Sequence, residues 1–185
     1  MVTFTGMSQL SIIQVTEASS SFLPFIEQLY TQAFPWEERR DFATVKQLLA
    51  HPLMQVQVAL NEENIPVGFA ITWQLTGCLF IEHIATAEQH RSKGYGSAFM
   101  QALLAVHPLC LLEIEPVTDS TTQRRLAFYQ LYGFLPIDIV YYQPPYHPHL
   151  APLPMQLLSY PLVSQAHAGN IIAEIYQTVY QQMLS

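Results

Sequence analysis

His90-Arg91-Ser92-Lys93-Gly94-Tyr95-Gly96-Ser97 joins a strand-like stretch, Gly77–Thr86, to a helical one that runs from about Ser97 to Val106. A helix start leaves its first backbone N–H groups without intrahelical partners, and the aligned peptide dipoles make that end attractive to anions. Glycine lets the backbone approach a phosphate with no Cβ in the way. Arg91 and Lys93 add positive charge, and Ser97 adds a hydroxyl. An ordinary tight turn can use the same glycines. A dinucleotide fingerprint needs a third glycine where Phe99 stands and belongs at the first strand of a parallel sheet, although Glu113 or Glu115 lies about twenty residues on, as a ribose-binding acid would. A P-loop needs Gly-Lys-Ser/Thr, which is absent. Neither pattern fits, and context favours a pyrophosphate held some other way.

Outward from this turn, hydrophobic periodicity lays out the chain. Upstream it predicts a strand at Ser11–Val15, a helix over Leu23–Gln32, and a second helix from about Glu38 to Ala50. Strands follow at Met54–Asn61 and Ile65–Gln74, joined by the turn signal Asn61-Glu62-Glu63-Asn64. Downstream come a strand at Leu109–Glu115, a helix at Thr121–Leu131 and a strand at Leu135–Tyr142. A proline-rich surface loop at Gln143–Pro154, a last strand at Met155–Tyr160 and an amphipathic helix at His167–Met183 complete the chain. This order predicts an α/β (α+β) fold, a mixed sheet covered by helices, in one domain spanning residues 1–185.

Composition narrows the function classes. Fourteen acidic residues face seven basic ones, for a net charge of −7. Binding nucleic acid through its phosphates requires a basic footprint that this chain lacks. No apolar run is long enough to span a bilayer, and the N-terminus has no basic region ahead of an apolar one. The expectation is a cytoplasmic protein with neither membrane nor nucleic-acid partners. Cys78 and Cys110 sit in apolar stretches and read as core fillers rather than a disulfide. His147 and His149 lack the further ligands a metal site needs, so no metal is expected. The apolar stripe of the last helix fits packing on the sheet or a homodimer equally well.

Arg91-x-x-Gly94-x-Gly96, between strand and helix, resembles the coenzyme A signature Gln/Arg-x-x-Gly-x-Gly/Ala of the GNAT superfamily of N-acetyltransferases. Downstream, Ala127-Phe128-Tyr129-Gln130-Leu131-Tyr132-Gly133-Phe134 is similar to that family's Phe-Tyr-x-x-x-Gly-Phe segment. The resemblance covers roughly residues 10–160, with Ser92 a departure where glycine is common and where little effect is expected. It implies the GNAT fold, a mostly antiparallel sheet of six or seven strands splayed between the fourth and fifth, with the helix at 167–183 appended. It also implies transfer of an acetyl group from acetyl-CoA to a primary amine of a small molecule or peptide, by direct attack in a ternary complex. A non-catalytic coenzyme A-binding regulatory module and a dinucleotide-dependent oxidoreductase are the alternatives.

Carried over residue by residue, the turn amides from Arg91 through Ser92, Lys93, Gly94, Tyr95, Gly96 and Ser97 would cradle the coenzyme pyrophosphate. Ile84, Ala85 and Thr86 on the splayed strand would pair with the pantetheine arm, one N–H polarising the thioester carbonyl. Arg124 and Arg125 either reach the nucleotide phosphates or form a solvated helix face. A primary amine near its free pKa of about 10 must lose a proton before it attacks. Glu82, a charge in an apolar strand, is the expected base, its pKa raised by burial. His83 is the reserve, expected on the opposite strand face, with Glu113 and Glu115 behind it. Tyr129 matches the tyrosine that protonates the leaving thiolate in this family. Phe34–Arg40 and Gln143–Leu153 correspond to the acceptor walls, where Trp36, Tyr141, Tyr142 and Tyr146 could line a pocket.

Overall fold

The computed structural model describes residues 10–181. Strands β1 (Ser11–Val15), β2 (Met54–Leu60), β3 (Pro66–Leu75), β4 (Cys78–Thr86) and β5 (Cys110–Ile114) are joined by β6 (Leu135–Pro136), β7 (Tyr141–Gln143) and β8 (Leu153–Tyr160) in one sheet. Helices α1 (Leu23–Ala33), α2 (Phe42–Leu48), α3 (Tyr95–Val106), α4 (Ser120–Gln130) and α5 (Gln165–Thr178) cover it. The order is β1-β2-β3-β4-β5-β8-β6, with β7 also on β8, and every pair is antiparallel except β4 with β5. One apolar cluster, including Tyr30, Phe69 and Trp73, lies beneath α1, α2 and α5. A second, including Phe99, Met100 and Phe134, lies on the α3 and α4 side. Cys78 and Cys110 are buried and unpaired, and burial pushes their thiols up to about 11 and about 12.

Three elements differ from the periodicity reading. The predicted helix from Glu38 is a short 3₁₀ turn at Trp36–Glu38, an extended Arg39, and α2 starting only at Phe42 behind Asp41. That break sends Arg40 into the protein, a tertiary demand that overrides helix propensity. The predicted strand Leu135–Tyr142 is split into β6 and β7 by a tight turn just beyond Ile137, where the Ile139 N–H bonds back to the Ile137 carbonyl. The sheet therefore holds eight strands rather than six or seven. The last helix begins earlier than expected, where the Ser164 hydroxyl accepts the His167 N–H, and ends at Thr178; Met183 lies outside the described residues.

Two local devices fix the elements around the cleft. Asn61 Oδ1 accepts the N–H groups of Glu63 and Ile65 and so builds the β2–β3 turn within its own side chain's reach. Asp119 caps α4 by accepting from Thr121 and Thr122, completing a capping box that sets where Tyr129 emerges.

Candidate active site

The β3–β4 ladder holds a bulge. Ile71 pairs with His83 and Thr72 with Ile81, so Glu82 is an extra residue with no partner of its own. A bulge breaks the two-residue alternation, and Glu82 and His83 consequently face the same side. Glu82 meets Trp73 and Tyr146, while His83 packs edge-on against Tyr30 and Phe34 at 4.9 and 4.4 Å between ring centres. The expectation that alternation separates the two is overturned.

The bulge coincides with the end of the β4–β5 pairing, which covers only Leu79 to Ile81 against Cys110 to Leu112. Beyond it the strands part, and a cavity of about 230 Å³ opens between Glu82–Thr86 on one wall and Leu112–Glu115 on the other. Ala87 donates its N–H to Val67 of β3. Alternation then turns the Ile84 and Thr86 N–H groups away from β3, into the opening. Ala85 faces β3 instead; its carbonyl oxygen would sit 2.6 Å from a Cβ placed on Gly68.

The glycine turn borders this opening. Gly94 caps α3 at φ +84°, a left-handed conformation that glycine adopts without steric cost. The N–H groups of Ser92, Gly94, Tyr95, Gly96 and Ser97 have no acceptor among the described residues, the first intrahelical bond being Ala98 to Gly94. They border a second cavity lined by Thr86, His90, Arg91, Ser92, Gly94, Gly96, Ser97 and Phe128. Thr86 and Arg91 belong to both linings, so turn and splay form one groove. Gly96 is confined, since a Cβ there would come within 3.0 Å of Thr86 Oγ1. Ser92 sits at φ +62°, in the region that disfavours L residues. Serine in place of glycine thus costs backbone strain here. Tyr95 reaches Glu62 at 3.3 Å, and Arg91 Nε reaches the Thr86 carbonyl at 3.4 Å. Arg124 folds back on its own helix, bonding the Ser120 carbonyl at 3.0 Å, and lines neither cavity. Its neighbour Arg125 points into the splay and pairs with Glu115.

Burial alone would raise the Glu82 carboxyl. The Arg40 guanidinium at 3.1 Å, followed by His83 and by hydrogen bonds from Trp73 Nε1 at 2.6 Å and Tyr146 at 2.7 Å, holds it below the ordinary carboxylate value. The upward shift expected of Glu82 is therefore reversed, and both its oxygens already accept hydrogen bonds. Burial lowers His83, whose Nε2 lies 2.9 Å from the Glu38 carbonyl oxygen. A carbonyl only accepts, so Nε2 carries the proton and Nδ1 presents a lone pair. Glu113 behaves oppositely to Glu82. Burial, with only Tyr141 and Tyr180 favouring the ionised form, pushes it up to about 7. Its Oε1 accepts from Tyr180, its Oε2 has only the Tyr141 hydroxyl near it, outside good hydrogen-bond geometry, and the residue lines the splay. Tyr129 lines the same cavity, its phenol raised to about 12 by burial and its hydroxyl making no hydrogen bond among the described residues.

Residues remote in sequence complete this network. Arg40 Nη2 donates to the Val179 carbonyl beyond α5, and Tyr180 meets both Tyr146 and Glu113. Arg40 stood out only as half of an Arg-Arg pair, and Tyr180 as one member of an apolar stripe. Of the expected acceptor wall, Trp36 stacks on His147 at 3.7 Å, Tyr146 is half-buried against Glu82, Tyr141 is buried and Tyr142 lies at the surface. Among the described residues no three His, Cys, Asp or Glu side chains gather as a metal site would require, and no helix is long and apolar enough to cross a membrane.

A bulged fourth strand, a parallel pair that parts midway and an amide-lined turn at the head of the next helix define an acyltransferase architecture of the GNAT kind. Residues 23–134 match the acetyltransferase (GNAT) family, and the chain belongs to that family. A GNAT-family acetyltransferase structure from Bacteroides thetaiotaomicron is similar over 93% of this chain and 99% of its own, with TM-score 0.86 and 26% identity. The fold is also shared with a spermidine N-acetyltransferase of Vibrio cholerae in complex with CoA and spermine (TM-score 0.61, 12% identity, 82% of this chain and 94% of that one). It is shared too with the ribosomal-protein-S18-alanine N-acetyltransferase of Escherichia coli (TM-score 0.57, 16% identity, 82% and 92%). No curated protein matches the chain.

Proposed function

We propose that this protein transfers an acetyl group from acetyl-CoA to a primary amine of a small molecule or peptide, by direct attack in a ternary complex. The observation that carries the reading is the single groove running from the acceptor-less amides of Ser92 and Gly94–Ser97 to the cleft-facing amides of Ile84 and Thr86. Those two sets suit the two ends of a coenzyme thioester, one anionic and one carbonyl-bearing.

On this reading the turn amides, with Arg91, hold the diphosphate; Arg124 has no part in it. The Ile84 and Thr86 amides hold the pantetheine arm and polarise the thioester carbonyl. Glu113 takes the amine proton. A value of about 7 leaves it roughly half ionised at neutral pH, where a general base works best. Glu82, held by Arg40, Trp73 and Tyr146, acts as a fixed anchor of the bulge rather than as the base. The Tyr129 hydroxyl, uncommitted in the cavity, gives a proton to the departing thiolate and recovers one from solvent.

Calorimetry with acetyl-CoA, followed by thiol-release assays over an amine panel, tests this. Saturable binding with amine-dependent thiol release is the expected result. Binding without release from any amine leaves a coenzyme-binding module; NAD binding without coenzyme binding turns the reading to an oxidoreductase.

A further inference from the structure

We infer that the acceptor is a dication, a primary amine carrying a second ammonium group a few bonds away; this rests on the acetyl-transfer reading of the same cleft. The charges around the splay pair off unevenly. Glu82 is matched by Arg40, and Glu115 by Arg125. Arg39 donates to the Phe34 carbonyl and lies outside the lining. Arg91, the remaining cation of the wall, belongs to the turn end of the groove. What is left is two carboxyl groups on opposite elements, Glu38 between α1 and α2 and Glu113 on β5, with no cation set against Glu113. Glu38 feels Arg125 only at a distance, that guanidinium being committed to Glu115.

A second observation points the same way. His83 is 3% exposed and lines the cavity, yet its Nδ1 has no hydrogen-bond partner, the Glu82 carboxylate being 4.0 Å away. Since Nε2 holds the ring proton against the Glu38 carbonyl, Nδ1 is a buried lone pair awaiting a donor. Glu113 Oε2, near only the Tyr141 hydroxyl and outside good hydrogen-bond geometry, is a second under-satisfied acceptor. A buried acceptor left unmatched is costly, and the ligand that satisfies several at once is rich in N–H and positively charged. An ammonium offers three donors. An α-amino acid would instead bring its carboxylate against Glu38 or Glu113 with no free cation to receive it.

The test compares linear diamines of propane to hexane length with the matching monoamines and ω-amino carboxylates, by thiol release and by direct calorimetric binding. The best diamine should exceed its monoamine in kcat/KM by about tenfold or more, the scale of one charge-assisted hydrogen bond, and exceed the amino carboxylate further. Glu38→Gln should shrink the diamine-to-monoamine ratio toward one. Equal use of monoamine and diamine, or preference for the amino carboxylate, overturns the inference while leaving acetyl transfer standing. If acetyl-CoA does not bind, the acetyl-transfer reading fails, and diamine binding measured in the same calorimeter still decides this one. Diamine binding that Glu38→Gln does not weaken counts against it.

Discussion

Replacing Arg40 with methionine removes the guanidinium and keeps an apolar stem of similar length. The Glu82 side chain left behind is 1% exposed, so its charge loses its main compensation in a site that water does not reach. Truncating one member of a buried pair typically costs about 3–5 kcal/mol. The hydrogen bonds from Trp73 and Tyr146 remain and argue for the lower end of that range. Loss of the Arg40 bond to Val179 and of its stacking over Tyr146 at 4.7 Å argues for the upper. In a chain of this size that corresponds to a fall in Tm of about 6–20 °C. The pH dependence is the sharper signature. With Arg40, Glu82 has a folded pKa below its ordinary value of 4.5, so its contribution is present above pH 4.5 and fades as pH falls through the folded value. Without Arg40, burial dominates and the folded pKa rises above 4.5, so stability is lost as pH climbs toward that new value. The gap between variant and parent should therefore widen as pH climbs past 4.5 in urea denaturation. The double variant Arg40→Met, Glu82→Gln, with both charges gone, should recover most of the loss. A gap that is flat with pH, or no recovery in the double variant, would refute the reasoning.

Tyr180→Phe removes a hydrogen bond that favours ionised Glu113, so the carboxyl should move above about 7 and the rising limb of the pH–rate profile should shift to higher pH; an unmoved profile removes Glu113 as the titrating base. Tyr129→Phe should slow turnover with acetyl-CoA affinity nearly unchanged by calorimetry, and equal turnover would take Tyr129 out of the mechanism. Gly94→Val demands a left-handed β-branched residue at the helix cap and should weaken coenzyme binding by tenfold or more, about 1.4 kcal/mol or above. Ser92→Gly relieves a positive φ and should raise stability in thermal melts by about 1 kcal/mol; a loss instead would mean that the serine side chain makes a compensating contact.

The amino-acid sequence by itself determined most of the order of the elements and the glycine turn between a strand and a helix. These are local properties: a period of two or near four in hydrophobicity, and glycines at Gly94 and Gly96 in front of a helix. Glu82 was legible as a charge in an apolar strand, Glu113 as a reserve base and Tyr129 through the likeness of its segment to a GNAT motif. Their division of labour was not. Only the tertiary structure decided that Glu82 meets Arg40 from a break before α2, that a bulge brings His83 to the same face, and that Tyr180 beyond α5 reaches Glu113. A carboxyl's proton affinity depends on how much water it loses and which charge replaces that water. Two glutamates in neighbouring strands therefore end on opposite sides of 4.5, one beside a guanidinium and the other without.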